Sequence, residues 1–356
     1  MRAQIQTGNC HGGNPWDLAQ KKGVALSELL DFSADLNPFG PPPQLGRLLQ
    51  EAAAYLGYYP EPTYREFREA VAQILGLDPA CILPGNGTAD LIHLISRWKG
   101  PARAAVIVPT FTEYERAVKA DRGTVVPWTL QIQEDRLTLL FLCNPNNPTG
   151  TLLSRDRLLN LLEVCEGRGM TTVVDEATMD LVEEGRRYTI SPEVTRFRNL
   201  IVLRSFTKGY GVPGLRAGYG VAAPERVEEL SRFQPPWAMN LLAAWVGARL
   251  VKDQQFLAES RRRLKEARGR MWERLKEIPG AEVSPSQANY FLCRLTSPLV
   301  SNEPLAAQLQ ERGILIRTCD DFTGLEPGRF IRMSVRRDSE NDRLLDSLEE
   351  LLGRGR

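Results

Sequence analysis

The stretch that decides the fold is "SFTKGYGVPGLRAGYG", residues 205–220, which follows the apolar run Ile201-Val202-Leu203. An apolar run that leads into a turn rich in Gly and Pro is typical of a strand leaving a sheet. The turn presents Lys208 and, eight residues later, Arg216. A basic surface loop would have the same composition, so the rest of the chain has to separate these two interpretations.

Composition excludes several classes of protein. The 356 residues contain 45 Lys and Arg against 44 Asp and Glu, so no global basic field would attract nucleic acid or an anionic membrane. No apolar run approaches the roughly 18 residues of a membrane helix, and the N-terminus lacks a hydrophobic signal segment. We therefore expect a cytoplasmic protein with neither a nucleic-acid nor a membrane partner.

The cysteines and histidines argue against a metal centre. The six cysteines are scattered without any C-x-x-C pair, which favours reduced core thiols over disulfides or zinc ligands. Only His11 and His93 could supply imidazole, so a His-rich metal site is excluded. His93 lies on a mostly apolar helical segment and is interpreted as a structural histidine.

From about residue 44, helical patterns alternate with short runs rich in Val, Ile and Leu. The predicted helices are 44–56, 63–75, 88–98, 112–121 and 153–168, and the predicted strands are 103–108, 124–127, 137–143, 171–175 and 200–204. This alternation predicts an α/β fold with a mostly parallel sheet covered by helices on both faces.

The chain is predicted to divide into three parts. Gly and Pro in "HGGNP" and "NPFGPPP" predict an extended N-terminal arm, residues 1–43, without regular structure, which joins the small domain. A large cofactor-binding domain is predicted over residues 44–245. A long helical tract, about 224–276, leads into a small α+β domain, and this bridge and the small domain together span 246–356.

Ligands of such sheets bind beyond the carboxyl ends of the strands, and two of these ends carry an anion site and an acid. "LPGNGTADLIHLI" places Gly87 and Thr88 before a helix, where free N–H groups and the helix dipole favour a phosphate. An ordinary N-cap made by Thr88 is the alternative. "TTVVDEA" ends a strand with Asp175, which either serves a ligand or caps a helix.

Two further strand ends add amides, hydroxyls and cations. "LLFLCNPNNPTG" ends a strand with Asn144, Asn146 and Asn147, which either form a plain turn or bind a ligand. The opening stretch supplies Ser205, Thr207, Lys208 and Arg216. Together the four ends offer a phosphate cradle, a carboxylate, an amide and a lysine to one crevice.

This set of groups has a chemical meaning. A lysine amine forms a Schiff base with an aldehyde, and an acid that faces a pyridine nitrogen keeps that nitrogen protonated. A protonated pyridine ring accepts electrons from a carbanion, and the phosphate cradle anchors the cofactor meanwhile. The predicted cofactor is pyridoxal 5′-phosphate, with Phe111 of "VPTFTEY" stacked on its ring.

At these motifs the chain resembles the aspartate-aminotransferase superfamily of pyridoxal-phosphate enzymes, from "HGGN" near the N-terminus to "RMSVR" near the C-terminus. "NPNNPTG" together with S-x-T-K-x(7)-R is specific for that superfamily. Within it the chain is similar to the histidinol-phosphate aminotransferases and, more closely, to the threonine-phosphate decarboxylases of cobalamin biosynthesis. The closer similarity lies in "DFSADLNPFGPP", "PTFTEYERA" and "QPPWAMN", where Trp237 replaces a tyrosine usual in the histidinol type. The resemblance implies the aspartate-aminotransferase-like fold.

The resemblance also implies roles for individual residues. Lys208 would form the Schiff base, Asp175 would face the pyridine nitrogen, and Asn147 would bond the ring hydroxyl. Phe111 would stack on the ring, and the phosphate would be held by Gly87, Thr88, Ser205, Thr207 and Arg216. Tyr59 would reach the phosphate in the neighbouring subunit, implying an obligate homodimer. Substrate groups would be bound by Arg332 (α-carboxylate), Arg317 (phosphate) and, unless the terminus is disordered, His11 (phosphate).

Two residues depart from the family pattern. Thr178 stands where the superfamily often has Tyr or Phe, and its short hydroxyl cannot reach the ring hydroxyl as a phenol would. Asp35 of "SADLNP" replaces an Asn usual in the decarboxylases and puts a carboxylate near a site for a dianion. Asp35 either faces away or marks a different substrate.

The resemblance favours decarboxylation of L-threonine O-3-phosphate, or of O-phospho-L-serine, to an amino-alcohol phosphate. The alternative is an aminotransferase of the histidinol-phosphate type that passes the amino group to 2-oxoglutarate. An aminotransferase-like sensor of a transcription regulator would need a basic DNA-binding domain before residue 44, which the sequence lacks. A nicotinamide dehydrogenase is disfavoured because "GNGTAD" is not G-x-G-x-x-G.

Overall fold

The computed structural model describes residues 12–128 and 136–353. The α-helices in these residues are α1 Pro15–Lys22, α2 Leu45–Ala53, α3 Arg65–Leu75, α4 Thr88–Lys99, α5 Glu113–Ala120, α6 Arg155–Gly167, α7 Phe206–Gly209, α8 Pro224–Ser231, α9 Leu241–Leu250, α10 Gln254–Glu277, α11 Asn302–Glu311 and α12 Asp338–Gly353. The strands are β1 Leu30–Asp31, β2 Ile82–Gly85, β3 Arg103–Val106, β4 Thr124–Pro127, β5 Leu139–Cys143, β6 Thr171–Asp175, β7 Leu200–Ser205, β8 Gly218–Ala222, β9 Ala281–Val283, β10 Tyr290–Leu295, β11 Ile314–Leu315, β12 Arg317–Thr318 and β13 Phe330–Ser334.

The described residues form two compact units. The larger unit holds Leu36–Lys265 and Gln287–Asn289. The smaller unit holds the described residues up to Asp35, together with Glu266–Ser286 and the described residues from Tyr290 onward. The domain boundaries predicted at residues 43/44 and 245/246 stay a prediction.

The larger unit is built around a seven-stranded sheet with the order β2-β8-β7-β6-β5-β3-β4. Strand β8 is antiparallel to both of its neighbours, and all other neighbours are parallel. The predicted alternation of helices and strands and the mostly parallel sheet are therefore confirmed. Because every strand except β8 runs the same way, the carboxyl ends of β2, β5, β6 and β7 lie at one edge of the sheet.

The central strands are buried because apolar side chains cover both faces of the sheet. Alternate residues of β5, β6 and β7 enter two different hydrophobic clusters, as the twofold repeat of a strand requires. One cluster contains Phe141, Val173 and Ile201, and the other contains Leu142, Val174 and Val202. Burial on both faces makes these strands a firm support for whatever their carboxyl ends carry.

The smaller unit contains an antiparallel sheet with the order β12-β13-β10-β9 and a parallel pair formed by β1 and β11. Leu18 of α1 packs with Leu29 and Leu315, so the N-terminal segment has an apolar core of its own. In the larger sheet of this unit, Arg317 of β12 is directly opposite Arg332 of β13. This register brings together the two arginines that were assigned to the substrate.

Two predictions of local structure were wrong. The arm is not free of regular structure, because "PWDLAQKK" forms α1, which Asn14 caps at its start and Gly23, in the left-handed conformation, ends. The tract 224–276 is not one helix but three, namely α8, α9 and α10. Its first break contains Pro235 and Pro236, whose nitrogens cannot donate hydrogen bonds to a helix, and Asn240 caps the next helix.

The predicted state of the thiols is confirmed for the described cysteines. Within the part of the chain that the structure describes, Cys81, Cys143, Cys165, Cys293 and Cys319 are thiols outside any disulfide, and all but Cys143 are buried. Among the described residues, none of the helices combines the length and apolarity that crossing a bilayer would require.

Candidate functional site

Three neighbouring strand ends bring the predicted cofactor residues together in the larger unit. Asp175, the last residue of β6, is paired in register with Cys143 of β5 on one side and Leu203 of β7 on the other. Strand β7 then ends at Ser205 and continues into the short helix α7, which carries Lys208. The acid and the lysine therefore stand at the same edge of the sheet, as the sequence predicted.

Asp175 is held by two hydrogen bonds to its carboxylate. Its side chain is almost fully buried, and Oδ1 accepts a hydrogen bond from the backbone N–H of Ala177 at 2.9 Å. Oδ2 accepts one from the hydroxyl of Tyr114 at 2.8 Å. The contact with Ala177 closes a local turn, so Asp175 does cap the backbone, but the hydroxyl comes from a different element.

The start of α4 is the place where the sequence predicts an anion cradle. Gly87 is the N-cap of this helix, with φ +90° and no side-chain cap in the described residues. A Cβ atom on Gly87 would lie 2.6 Å from Nη2 of Arg216, so this position has room only for glycine while Arg216 stays beside the helix start. The alternative of an N-cap made by Thr88 is wrong, because Thr88 is already the first helical residue.

The sheet register brings Ser205 close to the start of α4. Gly218 of β8 is opposite Gly85 of β2 on one side and opposite Ser205 of β7 on the other. A Cβ atom on Gly218 would lie 3.0 Å from the backbone N of Thr88, so the three strands approach closely here. Ser205 Oγ accepts a hydrogen bond from the N–H of Thr207 at 3.1 Å and caps α7.

The chemistry of this donor set fits a phosphate ester. Backbone N–H groups at a helix start, two hydroxyls and one guanidinium all favour a dianion. A Cβ atom would meet Arg216 at Gly87 and the backbone of the helix start at Gly218, so the close approach of these groups requires glycine at both positions. The larger unit therefore has what the phosphate of pyridoxal 5′-phosphate needs.

The backbone around Lys208 is anchored by a residue that the sequence did not single out. The N–H of Asn37 donates to the carbonyl of Lys208 at 3.1 Å, and Nδ2 of Asn37 donates to the carbonyl of Gly209 at 2.8 Å. Asn37 is buried and also contacts Ser260 at 2.9 Å. The only sequence signal was its place in "DFSADLNPFGPP", a motif quoted for the resemblance without a role for this side chain.

The three asparagines after β5 have different roles. Asn144 Oδ1 accepts from the N–H of Leu153 at 2.8 Å. Asn146 donates to the carbonyl of Pro109 at 2.9 Å and accepts from Thr110 at 2.8 Å. Both side chains thus build the turn, as the plainer interpretation held. Asn147 is half-buried in the same turn and remains the candidate for a ligand contact.

Phe111, Thr178 and His93 complete the account of the predicted residues of this unit. Phe111 is half-buried and meets the ring of Tyr114 edge to face, with centroids 5.6 Å apart. Thr178 is buried at the start of the turn after Asp175. His93 pairs with Glu113 at 2.6 Å, which agrees with a structural histidine.

Tyr59 lies at the surface. Its side chain is 75% exposed, and its ring stacks on that of Trp237 at a centroid distance of 4.2 Å. Trp237 is itself 44% exposed and has φ +54°. These two rings and the exposed Tyr58 form an aromatic surface patch.

The smaller unit holds both predicted substrate arginines. Arg332 is buried, and its Nη2 donates to the carbonyl of Ser33 at 2.5 Å and lies 3.6 Å from Oδ1 of Asp35. Asp35 therefore does not face away from Arg332. Arg317 pairs with both carboxylate oxygens of Asp321, at 2.7 and 2.6 Å.

A cavity of about 270 Å³ in the smaller unit is lined by Arg317, Gly12 and Gly13, among others. A Cβ atom on Gly13 would lie 2.5 Å from the side chain of Leu315, so the backbone passes close to β11 there. The cavity therefore joins Arg317 to the "HGGN" motif. The third predicted substrate residue, His11, lies outside the described residues.

Comparisons with known proteins agree with this geometry. The family described as aminotransferase class I and II matches residues 27–348. Threonine-phosphate decarboxylase of Salmonella typhimurium is 32% identical over 97% of this chain and 97% of its own. The structure of L-threonine-O-3-phosphate decarboxylase from Porphyromonas gingivalis is 28% identical, with a TM-score of 0.83 over 91% of this chain and 100% of that chain. Histidinol-phosphate aminotransferase from Clostridium acetobutylicum is 29% identical, with a TM-score of 0.84 over 92% of this chain and 100% of that chain. These likenesses confirm the predicted fold.

Proposed function

The chain belongs to the aminotransferase class I and II family, and on that basis we propose that it decarboxylates L-threonine O-3-phosphate or O-phospho-L-serine. The product would be the amino-alcohol phosphate used for the nucleotide loop of cobamides. Membership of this family, together with a threonine-phosphate decarboxylase among the relatives, confirms the predicted cofactor, pyridoxal 5′-phosphate.

The observation that carries the proposed substrate class is the cross-strand pair of Arg317 and Arg332. Directly opposite residues of an antiparallel pair have Cα atoms about 4.5–5.5 Å apart. Two arginine side chains that leave the main chain so close together suit a short molecule with an anion at each end. A phospho-amino acid is such a molecule, because it has a carboxylate and a phosphate. Arginine suits both anions because it can donate two hydrogen bonds in parallel.

The roles proposed for residues of the larger unit come from the family resemblance, and the positions of the strand ends support them. The start of α4 with Ser205, Thr207 and Arg216 would hold the cofactor phosphate, Asp175 would face the ring nitrogen, and Phe111 would stack on the ring. Asn147 would bond the ring hydroxyl. When bound, pyridoxal 5′-phosphate supplies an aldehyde for the amine of Lys208 or of the substrate, and a ring that takes up the electron pair released as carbon dioxide leaves.

The protein's own side chains then decide which bond of the substrate breaks. Only the Cα bond perpendicular to the ring can release its electrons into it, so the arginines select the reaction by the angle at which they hold the two anionic ends. Arg332 would hold the carboxylate and Arg317 the phosphate. Lys208 or a water would then return a proton to Cα.

The decisive experiment is a substrate panel. The purified holoenzyme is incubated with L-threonine O-3-phosphate, O-phospho-L-serine and histidinol phosphate, each with and without 2-oxoglutarate, and the products are identified by mass spectrometry. An amino-alcohol phosphate formed without 2-oxoglutarate supports the proposal. An oxo-product that needs 2-oxoglutarate would overturn it and establish the aminotransferase instead. Lys208→Ala should abolish either reaction and the visible absorbance of the lysine-bound cofactor.

We also propose that the enzyme is a homodimer in which Tyr59 reaches the partner's cofactor phosphate. The aromatic patch supports this, because large exposed apolar side chains that cluster together mark interfaces. Sedimentation should give a dimer. Mixing inactive Tyr59→Ala and Lys208→Ala proteins should restore activity, since a mixed dimer contains one intact site; no recovery after subunit exchange would contradict the shared site.

Finally, we propose that the enzyme works in the cytoplasm. None of the five described cysteines is in a disulfide, and reducing compartments preserve such thiols. Fractionation of the source cells would test this, and recovery in an extracytoplasmic fraction would refute it.

A further inference from the structure

Tyr114 is the fully buried residue whose hydroxyl donates to Oδ2 of Asp175 at 2.8 Å. It comes from α5, which is separated along the chain from β6, so the contact exists only in the folded unit. With the N–H of Ala177 on Oδ1, each oxygen of the carboxylate has a donor. Hydrogen bonds to a carboxylate stabilise its ionised form.

The raised pKa of the Tyr114 phenol agrees with its role as the hydrogen-bond donor. Burial, reinforced by the negative charge of Asp175, raises the pKa of Tyr114 well above its usual value. The proton therefore stays on the tyrosine, and the carboxylate accepts it in a hydrogen bond.

The ring of Tyr114 has little freedom to move. One face stacks on Phe141 of β5, with centroids 5.0 Å apart and planes 6° from parallel. Its other aromatic contact is with Phe111, at 5.6 Å and 84°. Tyr114 thus touches two of the residues assigned to the cofactor ring, Phe111 and Asp175.

We propose that Tyr114 is a positioning residue for the cofactor: its hydroxyl fixes the orientation and charge of Asp175, and its ring supports Phe111. A carboxylate with a donor on each oxygen cannot turn about its last bond without breaking a hydrogen bond. A carboxylate that is already held in its binding orientation increases the affinity for the ligand, because less conformational entropy is lost on binding. The inference rests on Asp175 as the partner of the ring nitrogen, as proposed above.

Thr189 offers a matched control. Its hydroxyl donates to Oε2 of another fully buried carboxylate, Glu176, at 2.5 Å in the same unit. Thr189→Val and Tyr114→Phe each remove one hydroxyl donor from a buried carboxylate and keep the shape of the side chain. Both variants should lose thermal stability, so stability alone does not distinguish a structural role from the proposed one.

The test compares cofactor binding in Tyr114→Phe, Thr189→Val and Asp175→Asn with the unaltered protein. Cofactor-free protein is titrated with pyridoxal 5′-phosphate, and the visible absorbance of the bound cofactor is then followed against pH. Tyr114→Phe should raise Kd about ten-fold, equivalent to about 1.4 kcal/mol. It should also move the pH midpoint upward by about half a unit, in the same direction as Asp175→Asn and by less. The midpoint should move upward because the proton on the cofactor's ring nitrogen is held less firmly in these variants. It then lowers the basicity of the nearby imine nitrogen less.

Thr189→Val should leave both cofactor measurements within two-fold of the unaltered protein. If Tyr114→Phe also leaves Kd within two-fold and the midpoint unchanged, the hydroxyl only stabilises the fold, and the inference is wrong. If Thr189→Val weakens the cofactor as much as Tyr114→Phe does, the effect is a general loss of stability, and the inference is again wrong. Neither readout needs a substrate, so failure of the proposed decarboxylation would leave this result independent.

Discussion

Substituting Gly87 by alanine tests the cofactor cradle most directly. Gly87 has φ +90° and ψ 167°, a conformation that is open to glycine and strained for any other residue. The added Cβ would lie 2.6 Å from Nη2 of Arg216. Because that atom is the end of a flexible side chain, the guanidinium can retreat, and it would do so by leaving the cradle.

The expected effect of Gly87→Ala has two parts, one on the free energy of unfolding and one on cofactor binding. The backbone strain costs about 1–3 kcal/mol of the free energy of unfolding, whether or not the cofactor is present. Loss of the Arg216 hydrogen bond to a charged phosphate costs about 1.5–3 kcal/mol more, but only when the cofactor binds. Gly87→Ala should therefore raise the Kd for pyridoxal 5′-phosphate by about 10- to 150-fold.

The assay is a spectroscopic titration of cofactor-free protein, with Gly76→Ala as the matched control. Gly76 has φ +68° in the same unit, and no described atom lies within 4 Å of its Cβ position. Its alanine variant should lose about 1–2 kcal/mol of stability and keep the cofactor affinity of the unaltered protein. Equal Kd values for the two variants would refute the assignment of Gly87 and Arg216 to the phosphate.

Three further predictions concern the smaller unit. Asp35→Asn should lower KM for the phospho-amino acid about five-fold, because Asp35 Oδ1 lies 3.6 Å from Arg332 and competes with the substrate carboxylate. An unchanged or higher KM in steady-state kinetics would show that Asp35 does not compete with the substrate. Arg317→Lys should raise KM about ten-fold, because lysine cannot donate two parallel hydrogen bonds to a phosphate; an unchanged KM in the same assay would remove Arg317 from the substrate site. Burial raises the pKa of the Cys319 thiol to about 12, so iodoacetamide at pH 8 should modify this thiol only after the protein unfolds. If mass spectrometry finds Cys319 alkylated in the native protein, the thiol is not buried.

The strands and their ends could be predicted because their causes are local. Continuous apolar runs such as 139–143 and 171–175 form strands buried on both faces, and a parallel sheet places their carboxyl ends at one edge. Asp175 and Lys208 could therefore be assigned to one crevice from the sequence alone. The resemblance to a known family added the roles of single residues, which periodicity does not contain.

The element boundaries that were predicted wrongly lie where two local signals in the sequence conflict. The helical composition of 224–276 outweighed Pro235 and Pro236 in the prediction, yet their missing N–H groups interrupt the hydrogen-bond ladder. In the arm, the density of Gly and Pro hid the helix signal in Asn14-Pro15, although Pro is well suited to the first turn of a helix.

The contacts that could not be predicted join residues far apart in the chain. Tyr114 reaches Asp175 across 61 positions, and Asn37 reaches Gly209 across 172. Nothing in the residues near Tyr114 indicates that its hydroxyl serves a carboxylate. Such contacts depend on strand order and register, which the alternation of elements leaves open.

The hydrogen bonds from Asn37 to the carbonyls of Lys208 and Gly209 limit how the amine of Lys208 can move. Because they hold the main chain on the carboxyl side of the Lys208 Cα, the amine moves chiefly by rotation of its own side chain. In the proposed reaction, Lys208 would therefore protonate only a carbon that lies within reach of this one side chain, however tightly the substrate was bound.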